Sequence, residues 1–257
     1  MRFQNPGLAG GFDLLLGLYF FCFQIYCDFS GYSDIARGVS RFFGVKLMTN
    51  FNQPYFSSTI TEFWRRWHIS LSSWLRDYLY ITLGGNRGGQ FNTYRNLMLT
   101  MLLGGRWHGA SWTFVVWGGL HGLYLAIHKL WIEKTGGPPV AEPFWRTLLK
   151  MLATFHLVAL TWIFFRAPDF STAWLYVSRL VMWAPAQVKL FSWSDRFALI
   201  SILVLFLFDW LQVRGKEHVA ILRYSWLPRA FLYALLFIVI FALGGLESKV
   251  PFIYFQF

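Results

Sequence analysis

The sequence predicts an all-α, polytopic membrane protein. Of its 257 residues 56% are hydrophobic and 21% aromatic, and only 14% are charged, against about 25% charged in a soluble domain. Phe alone, with 28 residues, outnumbers the 23 Lys and Arg together. Two charge-free stretches, 107–128 and 230–246, are long enough to cross a bilayer. Such a composition excludes a soluble enzyme, a disordered tail and a disulfide scaffold. Cys22 and Cys27 share one apolar stretch, lack zinc-site spacing and read as small buried hydrophobes. A formal net charge of +11 would suggest nucleic acid in a soluble protein. Here the aromatics lie in apolar spans, so the charge points to membrane lipid and the positive-inside rule, with no nucleic acid partner.

The elements follow in order. Residues 14–27 form an apolar stretch bounded by Asp13 and Asp28, a span beginning near residue 10 with no cleavable signal ahead of it. Segment 34–106 holds nine basic residues against three acidic, which places it on the cytoplasmic side. Within it, Ile60, Phe63, Trp64, Trp67, Leu71, Trp74, Leu75 and Tyr78 recur at helical spacing. Residues 60–78 therefore read as one amphipathic helix in the interface plane, started by Thr59 or Thr61. The glycines of 83–89 end it. Stretch 96–105 is too short to span and reads as a re-entrant or broken helix. Four further spans begin near 110, 147, 196 and 229, separated by loops at 136–139 and 215–217.

Six histidines are the main candidates for chemistry. His108 is flanked by Gly104, Gly105 and Gly109, at the break before a full span, with Ser111 placed to cap the helix that starts near Trp112. A helix N-terminus and burial both disfavour imidazolium there. A neutral imidazole is what a general base requires, although a structural histidine at a helix break fits the same position. His68 lies at the margin of the amphipathic stripe, as a second-site candidate or an interfacial histidine. His121, thirteen residues beyond His108, cannot share its reaction centre on a continuous helix. It reads as cavity-lining or as a polar group bonded within the bundle. Asp28, Ser30, Tyr32 and Asp34 cluster at the end of the first span, either as a polar cavity mouth or as a capped boundary. Asn86 and Arg87 sit in a Gly-rich turn able to form an anion nest or a plain surface turn. No metal site is expected, because HExxH spacing is missing and carboxylates are scarce.

Four stretches carry a wider resemblance: 26–34; 50–55 with Trp64-Arg65-Arg66-Trp67-His68 in 62–72; 75–81 through 83–87; and Trp107-His108-Gly109-Ala110-Ser111-Trp112 through 117–122. With 162–167 and 252–257, they resemble the membrane-bound O-acyltransferase family, nearest its bacterial alginate O-acetylation branch. The resemblance implies a helical bundle around a central cavity, with interfacial amphipathic helices. It places the family's catalytic histidine on His108 and its second signature histidine on His68. Arg65, Arg76 and Trp107 fall in the same motifs and are carried over as cavity or substrate contacts. Also implied is acyl transfer, with acetyl the expected group, to hydroxyls of an exported polysaccharide in the bacterial inner membrane. The acyl donor, acetyl-CoA or an acylated carrier, is then a cosubstrate, with no bound cofactor. Periplasmic or extracellular acetyltransferases are the implied partners. D-alanyl transfer to teichoic acid, acetyl transfer to peptidoglycan, and a non-catalytic channel or scaffold subunit are the rival readings. Family chains carry several more spans ahead of the 26–34 motif, so residues 1–257 are expected to be one membrane-embedded domain lacking those spans.

Overall fold

Helix α1 (Gly11–Phe42) runs 32 residues without a proline, about 48 Å at helical rise. That exceeds the roughly 30 Å hydrocarbon thickness, so the helix continues past the apolar stretch. Its first half buries Leu14, Leu18, Phe21, Cys22, Ile25 and Tyr26. The helix starts at Gly11, near residue 10 as expected, but Asp28 does not end it. Asp13 lies in the first turn, where the helix dipole favours a negative charge. In the second half Asp34 pairs with Arg37 one turn on, at 2.8 Å.

The structure is a computed structural model, and residues 3, 5–136, 142–185, 192–215 and 225–243 are described. The 252–257 stretch, His218 and most of the 136–139 and 215–217 loops lie outside the described residues.

The amphipathic segment 60–78 is not one helix. α2 (Ile60–Arg66) is capped by Thr59, whose hydroxyl accepts from the Glu62 N–H. The Glu62 carboxylate returns to accept from the Ser58 N–H at 2.7 Å, a reciprocal cap. At Trp67 the chain turns extended, and His68 adopts a left-handed conformation, φ +43°. α3 (Ile69–Trp74) restarts the helix and widens into a π-helical turn over Leu75–Tyr80. Trp67 is buried, Trp64 half-buried and Trp74 exposed, so the Trp stripe does not present one continuous face.

Stretch 96–105 belongs to an uninterrupted helix, α4 (Gln90–Trp107). Arg95, which flanks it in the sequence, folds back to donate to Asn96 Oδ1 at 3.0 and 3.2 Å. α5 (Trp112–Thr135) is capped by Ser111 as expected, its hydroxyl accepting from the Thr113 N–H at 3.2 Å. α4 and α5 cross closely because glycines face the crossing. A Cβ on Gly105 would stand 2.3 Å from the Phe114 carbonyl oxygen, and one on Gly118 2.2 Å from that of Met101. Small residues at such crossings let membrane helices pack backbone to backbone.

α6 (Phe144–Arg166) packs on α1 and α5. α7 (Phe170–Val181) is capped by Asp169 and tied to α1 by the Tyr176 hydroxyl, which donates to the Leu14 carbonyl at 2.6 Å. These elements belong to a first unit, residues 1–200. The second unit, 201–257, holds the rest of α8 (Trp193–Gly215) and α9 (Trp226–Leu243). Among the described residues, three helical segments are long and apolar enough to span: Gly11–Phe42, Phe144–Arg166 and Asp195–Arg214. α5 has the length, but its Gly, His and Trp content lowers its apolarity, and the apolar part of α9, Trp226–Phe241, is shorter.

Candidate functional site

His108 caps the C-terminus of α4, its N–H donating to the Gly105 carbonyl at 3.0 Å. The next peptide is pinned by Arg106, whose guanidinium donates to the Gly109 carbonyl at 3.0 Å. Residue 109 has to be glycine for steric reasons, since a Cβ there would lie 2.6 Å from the Phe114 ring. The imidazole stands edge-on to Trp117 of α5 and Phe165 of α6, ring centres 5.2 Å away in both cases. Trp117 is itself buried, and its indole N–H has no acceptor among the described residues. A buried donor left unmatched is uncommon and calls for an explanation.

His68 reaches the same neighbourhood from the break between α2 and α3. Its ring packs edge-on to Phe29 of α1 at 4.6 Å. Ser70 and Asn50 hold it from the other side: Ser70 Oγ is 3.3 Å from His68 Nδ1 and 2.7 Å from Asn50 Oδ1. Both histidines lie in connecting segments between helices. Burial pushes the His68 pKa down to about 4, and the His108 ring is near enough for its charge to add to that shift. Burial alone takes His108 down to about 4. Both are therefore neutral bases near pH 7. Two neutral imidazoles, forty residues apart in sequence, come within electrostatic reach of each other, His68 against Phe29 of α1 and His108 against Trp117 of α5 and Phe165 of α6.

The other sequence candidates scatter. His121 is fully buried between α2, α5 and α6 and spends both ring nitrogens on protein. Trp64 Nε1–H donates to its Nδ1 at 3.2 Å. Its Nε2 therefore carries the hydrogen and donates to Thr161 Oγ1 at 2.9 Å, whose own hydrogen goes to the Val158 carbonyl. His121 is a packing centre, not a cavity lining. Ser30 bonds back to the Cys27 carbonyl at 3.5 Å, Asp34 to Arg37, and Tyr32 is exposed. Asp28 is half-buried on the same helix. Arg76 pairs with Asp77, Asn86 accepts from the Tyr80 hydroxyl at 2.6 Å, and Arg65 and Arg87 are exposed. Trp107 is exposed beside Trp74, ring centres 6.0 Å apart. No three metal-ligating side chains cluster among the described residues. The sequence reading gives no separate role to Asn50, Ser70, Trp117 and Phe165. Asn50 and Ser70 lie inside the motif stretches, but periodicity alone gave no reason to single them out.

Fold and site together define a helical, membrane-embedded protein with two largely buried histidines, His68 and His108, in the connections between its helices. The sequence profile of the membrane-bound O-acyltransferase family matches residues 12–165, and the chain belongs to that family. It is 54% identical over 171 residues to a probable alginate O-acetylase, AlgI, of Pseudomonas aeruginosa, covering 66% of this chain and 31% of that protein. A peptidoglycan O-acetyltransferase of Helicobacter pylori is 47% identical over 175 residues, 63% of this chain and 32% of that one. A teichoic acid D-alanyltransferase of Streptococcus thermophilus is 34% identical over 184 residues, 64% and 44% of the two chains. The chain thus spans about a third of the length of the alginate O-acetylases it matches.

Proposed function

We propose that this chain carries the acyl-transfer centre of an O-acetyltransferase that acts on hydroxyls of an exported cell-envelope polysaccharide, with alginate the favoured acceptor. The convergence of His68 and His108 carries the reading. Two neutral imidazoles within electrostatic reach of each other, each packed on aromatic rings, suit the removal of a proton from a hydroxyl at neutral pH. In the reaction His108 takes the acceptor's proton as its oxygen attacks the acyl carbonyl of a thioester donor. The new C–O bond forms, the C–S bond breaks, and the imidazolium returns the proton to the departing thiolate. The Trp117 N–H, buried without an acceptor among the described residues, suits a carbonyl oxygen that gains negative charge. The basic excess of 34–106 suits a cytoplasmic approach of acetyl-CoA or an acylated carrier, with Arg65, Arg76 and Arg87 meeting its acidic groups. The setting is the bacterial inner membrane, with periplasmic or extracellular acetyltransferases passing the group onward. Alginate is favoured because several alginate O-acetylases share 52–55% identity with this chain.

The test replaces His108 by Ala and by Gln in the full-length protein and measures acetylated polysaccharide and membrane-inserted protein. Loss of acetylation at normal membrane levels is expected. Normal acetylation would remove His108 from the chemistry and favour a scaffold role.

A further inference from the structure

The hydrogen atoms around His68 can be placed from donor chemistry. The Ser70 backbone N–H only donates, and it meets Asn50 Oδ1 at 3.0 Å. That contact fixes the Asn50 amide: Oδ1 faces Ser70, and Nδ2 donates to Ser33 Oγ at 3.4 Å. Oδ1 carries no hydrogen, so its 2.7 Å contact with Ser70 Oγ consumes the single Ser70 hydroxyl hydrogen. Towards His68 Nδ1, 3.3 Å away, Ser70 Oγ is left only with lone pairs. Nδ1 must then carry the hydrogen, and in a neutral ring Nε2 carries the lone pair.

The backbone supports the same arrangement. A non-glycine residue in the left-handed region is strained and persists only where its surroundings over-determine it. Here the Ile69 N–H donates to the Asn50 carbonyl at 3.0 Å, and the Asn52 N–H to the Arg66 carbonyl at 2.9 Å, bracketing the turn at His68. Asn50 thus grips the residues after His68 through both its main chain and its side chain.

We infer that Asn50 and Ser70 are positioning residues that hold His68 as the Nδ1–H tautomer, so that its Nε2 accepts a hydrogen from a substrate O–H or N–H. The inference rests on the acyl-transfer reading for its consequence, though not for the tautomer. It excludes neutral His68 as a donor to the developing oxyanion through Nε2 and leaves that task to other N–H groups.

The experiment uses full-length protein in lipid with nitrogen-15 histidine, the His68 ring signals being assigned by comparison with His68→Gln. Wild type is expected to show protonated Nδ1 and unprotonated Nε2. Ser70→Ala and Asn50→Ala are expected to move the ring towards the Nε2–H form, whereas Ser70→Thr keeps the wild-type pattern. Turnover should fall about 10-fold in Ser70→Ala, short of the roughly 10²–10⁴-fold typical of losing a general base, and recover in Ser70→Thr. Protonated Nε2 in neutral wild type overturns the inference, whatever happens to the variants. So does an unchanged tautomer in Ser70→Ala. Transfer that survives His108→Ala would overturn the functional reading and leave the tautomer result standing.

Discussion

Adding one methyl group at Gly118 should disable the site without touching it. The Cβ of an alanine there would lie 2.2 Å from the Met101 carbonyl oxygen, where ordinary contact begins at 3.4 Å. The obstacle is backbone, so no side chain can turn aside. α4 and α5 must part by roughly 1 Å, which costs about 1–3 kcal/mol as overpacking. His108 rides on the end of α4 and faces Trp117 on α5, so the same shift moves the base relative to its surround. A misplacement of about 1 Å can cost about 10²-fold in rate. Gly119 is the internal control: a Cβ there meets only the flexible end of Leu102, at 3.4 Å. Gly119→Ala should be near wild type or slightly stabilised by helix propensity. The assay pairs acetyl transfer in membranes with thermal stability in detergent. Wild-type turnover in Gly118→Ala, or equal damage from Gly119→Ala, would refute the claim that this crossing positions His108.

Two further outcomes are expected. Cysteines replacing the exposed Arg65, Arg76 and Arg87, in a background lacking Cys22 and Cys27, should resist an impermeant thiol reagent in intact cells; rapid labelling from outside would invert the orientation. His121→Leu should lower stability by about 1–3 kcal/mol by orphaning the Trp64 N–H, while the protein that remains folded turns over normally; a selective loss of turnover would return His121 to the reaction.

The parts of the site that were legible in the sequence are those set by near neighbours. The glycine-flanked break at His108 and the Ser111 cap are local features, and both stand where the residues placed them. The break at His68 was not legible, because the 3.6-residue period runs straight through it. What bends the chain there is Asn50, about twenty residues upstream, and a periodicity argument does not see such a contact. His121 is similar: its partners Trp64 and Thr161 lie 57 and 40 residues away, so its enclosure follows from packing alone. In the sequence, stretch 96–105 looks short because Arg95 and Arg106 flank it. In the fold Arg95 lies along its own helix and Arg106 braces the His108 turn, so neither charge interrupts the helix. The motif stretches that resemble acyltransferases did contain Asn50 and Ser70, but only the hydrogen-bond geometry gives those residues a task.

The most direct test of a single two-histidine centre is a double-mutant cycle on acetyl transfer. His68→Gln, His108→Gln and the double variant would be compared with wild type in the full-length protein, with each rate corrected for the amount inserted in the membrane. Residues that act as one unit give strongly non-additive losses. The double variant is therefore expected to be no slower than His108→Gln alone. If the two losses instead multiply, the histidines act at separate places, and the convergence on which the proposed chemistry rests is contradicted.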